Sequence, residues 1–410
     1  MQIGDEATDV RIVVSTVVEM EHVLPLLESL QTVGRRVNVL YGLPLPGSQV
    51  DRIADVARRL GAGSISLMVD HASQLGAVRR FRDLVEFPAS IFVKVDTGYH
   101  RAGLPPSTLN KGGLLDEVAR LHLDGALVLA GFYSHSSLSY NDSTPIQAMN
   151  NLAAEIRGCM DAVRHNSQRF PAALRELTVS VGASPQVMSI QNFAATAEDK
   201  TEYTGASEDL VRALREVAAT TTTTSHDETS PGDIRVSLEL HAGVYSVMDL
   251  QQLATNATGL ASSGGAFYEQ IAVSVAAEVV STYNDGERET PEALIAVGTL
   301  GLGREPCQSY DGWGIVGPTP ATAPRGGGML VVKRISQEHS ILCWGTSSGG
   351  SEGGSQGIPP IPLEVGNYVR IYPNHACITG AMYGWYLVVD SDRPGGATEI
   401  IDVWMRASGW

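Results

Sequence analysis

The chain has 410 residues, 43% of them hydrophobic and 18% charged, which is typical of a globular protein with two domains. Acidic residues outnumber basic ones by 45 to 29, and the formal charge of −16 argues against nucleic acid or an anionic membrane as a partner. No apolar run is long enough to span a membrane, and the acidic N-terminus is unlike a signal peptide. Because the four cysteines are scattered and form no disulfide framework, we expect a reducing, cytoplasmic location.

The first part of the chain alternates short β-branched runs with amphipathic helical patterns, which predicts βα units around a parallel sheet. The predicted strands are Arg11–Val17, Arg36–Leu43, Ser64–Asp70, Ile91–Thr97, Ala126–Ser134, Leu177–Ser184 and Arg235–Val244. The predicted helices are Glu19–Gln31, Gln49–Leu60, Ala148–Asn166 and Thr204–Thr220. A threonine-rich run at about 220–232 is interpreted as a low-complexity insertion.

The predicted sheet has seven strands, whereas a closed parallel barrel of this kind has eight. Parallel sheets are normally covered or closed, because an open edge exposes unpaired backbone groups. We therefore predict an α/β fold, a parallel (β/α) barrel with seven of its eight strands visible. We also expect the sequence to be incomplete at its N-terminus.

After Val244 the pattern changes to strands without long helices between them, which predicts an antiparallel β-domain. Its predicted strands are Gln270–Thr282, Leu294–Thr299, Gly328–Ser336, Ser340–Gly345, Tyr368–Tyr372 and Trp385–Asp390. The Gly/Ser-rich segment Thr346–Ile358 is interpreted as a flexible loop. The sequence thus predicts a barrel domain over residues 1–254 and a β-rich domain over residues 255–410.

Charged side chains mark the end of the fourth predicted strand. Lys94 and Asp96 are two residues apart on an extended segment, so both should point to the polar centre of the barrel. We interpret them as a structural ion pair in preference to a catalytic pair. Arg101 follows at the carboxyl-terminal mouth, where barrel enzymes place their chemistry.

Three later strands end in residues suited to binding. Residues 131–140 combine two phenols, a histidine and several hydroxyls at the mouth of the barrel. Glycine and small residues end the last two strands, at 181–185 and 239–245, and allow backbone N–H groups to approach an anion. These are the usual phosphate loops of such barrels, although tight turns alone also explain them.

Near the C-terminus, an imidazole and a thiol lie two residues apart at His375 and Cys377. On an extended chain they share a face, and a nitrogen–thiolate pair favours zinc with positions left open for water or substrate. A buried cysteine beside a turn histidine is the alternative interpretation.

Taken together, these segments resemble a known family. The strand-end segment VKVDTGYHRAG resembles the fold-type III pyridoxal-phosphate enzymes, the alanine-racemase-like barrels. Seven segments together resemble the eukaryotic-type D-serine dehydratase family, of which D-threonine aldolases are close relatives. In chain order they are IVVSTVVE, VLYGLPL, GFYSHSSLSY, VGASPQ, ELHAGVY, SQEHSIL and PNHAC. The resemblance extends from about residue 11 to about residue 389.

The resemblance implies pyridoxal 5'-phosphate and Zn2+ as cofactors and β-elimination of a D-amino acid, with D-serine giving pyruvate and ammonia. It assigns zinc to His375 and Cys377, and Cys377 favours the dehydratases over the aldolases, which carry His-x-Asp there. It also implies a homodimer. The remaining implied site residues are Gly243, Val244 and Ser184 at the phosphate, Tyr133 and Tyr140 at the ring, and Arg101, His135 and His339 lining the site.

One residue of the family pattern has no counterpart. The family's Schiff-base lysine lies on a barrel strand that would precede Arg11, so no catalytic residue is identified. We therefore predict that residues 1–410 form no Schiff base with the cofactor and release no pyruvate from D-serine. The lysines present are Lys94, Lys111, Lys200 and Lys333. We expect Asp96 or a neighbour to hold Lys94 charged, which would make it a poor nucleophile. The alternatives are a D-threonine aldolase-type lyase and a non-catalytic pyridoxal-phosphate- and metal-binding pseudoenzyme.

Overall fold

A computed structural model describes ten stretches of the chain: 9–171, 173–192, 194–195, 203–204, 207–222, 234–259, 267–317, 328–345, 358–393 and 398–409. The chain divides into two compact units. The first takes in the described parts of 1–139, 149–241 and 407–410, and the second those of 140–148 and 242–406. No helix in the described stretches is long and apolar enough to cross a membrane.

The first unit is built on a parallel sheet of seven strands that are paired in chain order. Its strands are β1 (Val10–Val14), β2 (Val37–Pro44), β3 (Ile65–Val69), β4 (Ala89–Lys94), β5 (Leu127–Tyr133), β6 (Glu176–Val181) and β7 (Arg235–Leu240). All seven predicted strands are confirmed. A further pair of two-residue strands joins Ala194–Ala195 to Tyr203–Thr204.

Helices follow the strands and bury their apolar faces against the sheet. They are α1 (Val17–Thr32), α2 (Val50–Leu60), α3 (Leu75–Val85), α4 (Leu114–Leu123), α5 (Pro145–Asn166), α6 (Ser184–Ser189) and α7 (Glu208–Thr222). A capping box marks the start of helix α1. The side chain of Thr16 accepts from the backbone N–H of Glu19, and the Glu19 carboxylate accepts from the backbone N–H of Thr16. Helices α3 and α4 were not predicted. The predicted insertion overlaps the end of α7, and its remainder at 223–232 lies outside the described residues.

The two edge strands of the sheet are linked through their side chains. In the described residues the sheet is open, with β1 and β7 at its edges. Arg11 on β1 nevertheless donates to the Glu239 carboxylate on β7 at 2.7 Å. The sheet is therefore curled far enough for a side-chain bond to join its edges.

The second unit contains a closed antiparallel barrel. Its strands, in order around the barrel, are Val275–Tyr283, Glu292–Ile295, Ser340–Trp344, Leu330–Ile335, Gly314–Val316 and Tyr368–Pro373. A separate antiparallel pair joins Trp385–Val389 to Ile400–Met405. The strands Gly314–Val316 and Ile400–Met405 were not predicted, and most of the predicted loop Thr346–Ile358 lies outside the described residues. The helices of this unit are α8 (Leu250–Ala254), α9 (Thr299–Leu302) and α10 (Ala376–Ala381).

Candidate functional site

The carboxyl ends of β4 to β7 bring polar side chains together in the first unit. Because parallel strands end at the same edge of a sheet, their last residues and the loops that follow are neighbours. The residues so placed are Lys94, Tyr133, His135, Ser180, Glu239 and His241.

Lys94 is buried at the end of β4, with only 6% of its surface exposed. Its Nζ lies 4.7 Å from the centroid of the Tyr133 ring, a cation–π distance. Burial lowers the pKa of Lys94 to about 8, against the opposing charge of Glu155. Loss of hydration therefore outweighs the nearby carboxylates, but a lysine with this pKa is still mostly charged at pH 7, and the prediction that Lys94 is charged stays a prediction.

Asp96 does not form the predicted ion pair with Lys94. Strand β4 ends at Lys94, so the alternation that would place both side chains on one face stops before Asp96. The Asp96 carboxylate instead accepts from the backbone N–H groups of Gly98 and His100, each at 3.0 Å, and lies 2.7 Å from His100 Nδ1. These bonds to its carboxylate lower the pKa of Asp96 despite its burial.

The Asp96 bonds organise the loop that carries Arg101. His100 has a φ of 58°, a left-handed conformation that a side chain other than glycine rarely adopts. Arg101 is exposed, and its guanidinium lies 5.2 Å from the Tyr99 ring centroid. Gly103 closes the loop at a φ of 99°, where a Cβ would lie 2.8 Å from Lys94 Cγ, so only glycine fits.

Tyr133 stacks on His241, with ring centroids 4.4 Å apart and planes 4° from parallel. His135 Nδ1 lies 2.6 Å from the carbonyl oxygen of Gly182 and 3.3 Å from His241 Nε2. Burial and the positive charge of Arg101 lower the pKa of His135 to about 4. Burial also lowers the pKa of His241 well below its ordinary value, so both imidazoles are neutral near pH 7.

A buried carboxylic acid, which sequence reasoning missed, lies on helix α5 beside this cluster. Glu155 is 1% exposed, and its Oε1 accepts from Ser134 Oγ at 3.0 Å. Burial raises its pKa. The available signal was its position, because Glu155 follows Leu152 by three residues and precedes Cys159 by four, on an apolar helix face.

The candidate metal ligands of the second unit lie where a strand changes into a helix. The strand that contains Tyr372 ends at Pro373, His375 is the N-cap of α10, and Cys377 is the second residue of that helix. The premise that the pair shares one face of an extended chain is wrong, because residues two apart on a helix do not face each other. His375 is half-buried and Cys377 is exposed.

The backbone around this pair is held by buried side chains of the same unit. Asp249 Oδ2 accepts from the N–H of Ala376 at 2.8 Å, and Asp249 Oδ1 accepts from that of Gln252 at 2.8 Å. Asn374 donates to the carbonyl oxygen of Glu305 at 2.8 Å. Among the described residues, no group of three or more His, Cys, Asp or Glu side chains is arranged to hold a metal ion.

The other predicted site residues fall in both units. Ser184 is buried at the first position of α6 in the first unit. In the second unit, Gly243 and Val244 open a short 3-10 turn, Tyr140 lies in another, and His339 is exposed between two barrel strands. Their binding roles stay predictions.

The comparisons with known proteins agree with this architecture. A family model for the N-terminal domain of alanine racemase matches residues 11–213, and one for the serine dehydratase domain matches residues 272–389. Two solved structures share the fold. An alanine-racemase-like protein from Idiomarina loihiensis has a TM-score of 0.64 at 21% identity, with 98% of this chain and 90% of that chain covered. D-threo-3-hydroxyaspartate dehydratase from Delftia sp. HT23 has a TM-score of 0.61 at 21% identity, with coverages of 99% and 92%.

The fold is thus that of the alanine-racemase-like proteins. The chain is 30% identical to the D-serine dehydratase of Schizosaccharomyces pombe, an alignment that covers 100% of this chain and 81% of the relative. It is 26% identical to the Saccharomyces cerevisiae D-serine dehydratase, with 97% and 81% covered. The chain belongs to the D-serine dehydratase family, and by that membership it is a D-serine dehydratase-like lyase.

Proposed function

We propose that the chain is a pyridoxal-phosphate- and zinc-dependent D-amino-acid lyase, most like D-serine dehydratase, which converts D-serine to pyruvate and ammonia. The observation that carries the proposal is the 30% identity to the fission-yeast D-serine dehydratase over the whole of this chain. We also propose that the protein is cytoplasmic and has a domain boundary near residue 254. We further propose that it is a homodimer, which sedimentation would test.

The first unit offers side chains that fit an anionic, aromatic cofactor. Lys94 and Arg101 supply positive charge, and the stacked rings of Tyr133 and His241 supply a flat apolar surface. When bound, pyridoxal phosphate stabilises the electron pair released at the substrate Cα. Ser184 would hold the phosphate.

Four further roles are proposed for residues of the second unit. Gly243 and Val244 would hold the phosphate with their backbone N–H groups, and Tyr140 would line the ring. His339 would line the substrate side. These four roles rest on family resemblance.

Zinc would be held by His375 and Cys377. An imidazole nitrogen and a thiolate suit zinc, and two protein ligands leave positions open for a substrate hydroxyl. Two solved structures of the Delftia dehydratase are a histidine-to-alanine variant and a cysteine-to-alanine variant at positions two residues apart, and the second is described as metal-free. His375 and Cys377 have the same order and spacing.

The function is tested by incubating the 410-residue chain with pyridoxal phosphate, zinc and either D-serine or D-threonine. Pyruvate release from D-serine would support the dehydratase assignment and would contradict the prediction that this chain lacks a working Schiff-base lysine. Acetaldehyde and glycine from D-threonine, without pyruvate from D-serine, would instead assign an aldolase-type lyase. The control without added zinc separates a metal requirement from a cofactor requirement.

The lysines favour a second candidate, a non-catalytic pyridoxal-phosphate-binding protein. Lys94 is the one lysine in the described parallel sheet, and its Nζ lies against Tyr133. Borohydride reduction with pyridoxal phosphate, followed by peptide mapping, tests this candidate. Cofactor retained without a labelled lysine or pyruvate release supports it, whereas turnover of D-serine contradicts it.

A further inference from the structure

The turn that contains His375 is hydrogen-bonded on both sides to other parts of the second unit. Before it, the carbonyl oxygen of Asn374 accepts from the backbone N–H of Gln251 at 3.0 Å. After it, the backbone N–H of Ala376 donates to Asp249 at 2.8 Å. Both peptide groups that flank His375 therefore have fixed partners, and these hold the backbone of this residue in one conformation.

His375 is the N-cap of helix α10, yet its side chain makes no capping bond. An N-cap side chain ordinarily accepts from one of the first backbone N–H groups of its helix, which have no partner inside the helix. Here the Asp249 carboxylate satisfies the first of these groups, the N–H of Ala376. The imidazole of His375 is thus not used for capping and is available to another partner.

The side chain of Asn374 joins this turn to a second segment, residues 305–312. Asn374 is 2% exposed, and its Nδ2 donates to the carbonyl oxygens of Glu305 at 2.8 Å and Gly312 at 2.9 Å. Carbonyl oxygens only accept, so the atom between them must be the amide nitrogen, and both of its protons are used. The remaining atom, Oδ1, accepts from the hydroxyl of Tyr310.

Tyr310 is the donor in that bond because an amide oxygen has no proton to give. Loss of hydration raises the pKa of Tyr310, so the hydroxyl keeps its proton well above neutral pH. An aspartate at position 374 would place a negative charge opposite two carbonyl oxygens, and an alanine would leave three polar groups without their partner. The arrangement therefore requires a carboxamide at position 374 and a hydroxyl at position 310.

Helix α10 cannot hold the candidate metal ligands by itself. It has six residues, whereas isolated helices shorter than about 12 residues are marginal in water. Its other anchor is Thr379, whose Oγ1 donates to the carbonyl oxygen of Leu302 at 2.6 Å. Cys377 lies between the anchors at Asn374 and Thr379, so its position depends on both.

We propose that Asn374 and Tyr310 are positioning residues of the zinc site, which hold the turn so that His375 and Cys377 reach one metal ion without reordering. The inference rests on the zinc site of the proposed function and adds two residues that act through the backbone of the ligands. Partners that orient metal ligands commonly change metal affinity by about 10- to 100-fold.

Zinc titration of the 410-residue chain without pyridoxal phosphate tests the proposal. Tyr310→Phe removes one hydroxyl and should raise the Kd for zinc about 10-fold. Asn374→Ala removes three hydrogen bonds and should raise it about 100-fold. If Asn374→Ala fails to fold, Tyr310→Phe decides the outcome by itself.

Two controls separate positioning from a general loss of stability. Asn284 donates to the backbone of Ile361 at 3.1 Å and accepts from it at 2.9 Å, in the same unit. Asn284→Ala should lower the denaturant midpoint and keep the Kd for zinc within about twofold. Tyr368→Phe, which removes a hydroxyl that donates to Glu278 on the barrel, should also keep it within about twofold.

Alkylation of Cys377 gives a second readout at the site itself. The thiol is exposed, so zinc should protect it, and peptide mapping follows its modification. The zinc concentration needed for half protection should rise about 10-fold in Tyr310→Phe and stay unchanged in the controls.

The outcomes are distinct. Wild-type zinc affinity in Tyr310→Phe and Asn374→Ala overturns the inference and leaves the proposed zinc site intact. An equal loss of affinity in Asn284→Ala also overturns it, because any weakening of the unit would then be sufficient. A wild-type chain that binds no zinc contradicts the zinc site of the proposed function, and the inference with it.

Discussion

The two units hold their candidate functional residues in contrasting ways. In the first unit Lys94 is buried and His135 and His241 are half-buried at strand ends, and loss of hydration lowers the pKa values of all three. In the second unit Cys377 is exposed, and buried residues such as Asp249 hold the backbone beneath it. The first arrangement tunes protonation through desolvation, whereas the second keeps a donor accessible on a fixed frame.

The contrast predicts that substitutions in the first unit change stability and protonation, whereas those in the second change ligand binding. The largest effect is expected in the second unit, where Cys377→Ala should lose most of the zinc that the wild-type chain binds. Because the side chain is exposed, the free energy of unfolding of the metal-free chain should change by less than about 0.5 kcal/mol. Elemental analysis and denaturant unfolding measure the two effects.

The matched control is Cys343→Ala, because Cys343 lies in the same unit and is only half-buried. It should keep the zinc. Equal zinc content in wild type and Cys377→Ala would remove Cys377 from the metal site.

The next largest effect is expected at Lys94. Its folded-state pKa of about 8 lies below its ordinary value. Below pH 8 the folded chain therefore contains a buried charge, which lowers the free energy of unfolding by its full amount. As the pH rises from 8 to about 10.4, the folded state loses the proton first, and stability should rise by up to about 3 kcal/mol from this residue. Lys94→Met should abolish that rise.

Unfolding of the two chains at pH 7 and pH 9.5 measures the difference. Lys333→Met is the control, because Lys333 is exposed and pairs with Asp311. A rise with pH that survives in Lys94→Met would show that another group causes it.

Substitution of Asp249 tests whether the buried residues that hold the backbone near His375 and Cys377 affect zinc binding. Asp249 is 1% exposed, caps α8 through Gln252 and accepts from Ala376. Asp249→Ala should lower the free energy of unfolding by about 1–3 kcal/mol. It should also weaken zinc binding by about 10- to 100-fold.

Isothermal titration with zinc and denaturant unfolding check these values. The exposed carboxylate of Asp311 provides the control, and Asp311→Ala should change neither quantity beyond about 0.5 kcal/mol. Wild-type zinc affinity in Asp249→Ala would mean that zinc binding by His375 and Cys377 does not depend on Asp249.

The smallest effect is expected at the edge of the parallel sheet. Arg11 is 55% exposed in its side chain, so Arg11→Ala should lower the free energy of unfolding by less than about 1 kcal/mol. Arg36→Ala, which breaks an exposed pair with Asp9, should have a similar effect. A loss of several kcal/mol at Arg11 alone would mean that the Arg11–Glu239 bond carries the curl of the sheet.

Much of the parallel sheet could be predicted because its strands are short β-branched runs between helical patterns. In two pairs of residues, the assumption that side chains two positions apart share a face failed for one reason. The pairs Lys94–Asp96 and His375–Cys377 begin at or beyond the last residue of a strand, where the alternation of faces stops. Functional residues gather at strand ends, so the alternation of faces is least reliable at the positions where functional residues are sought.

The rest of the site could not be predicted because it depends on contacts between distant segments. Glu155 reads as an ordinary polar helix residue until Ser134 is brought against it. The hydrogen-bond partners of His135 and His241 are Gly182 and Ser180, which lie just after strand β6 and within it. The short strand Gly314–Val316 is recognisable only through its partners in the barrel.

The Arg11–Glu239 bond joins residues 228 positions apart, and this separation bears on how the first unit folds. Among contacts between strands of the sheet this one closes the longest loop and costs the most chain entropy, so we expect it to form late in assembly. A fluorophore pair at the two edges would therefore report this late step of refolding, while tyrosine signals from Tyr41 and Tyr133, on β2 and β5, follow the earlier ones.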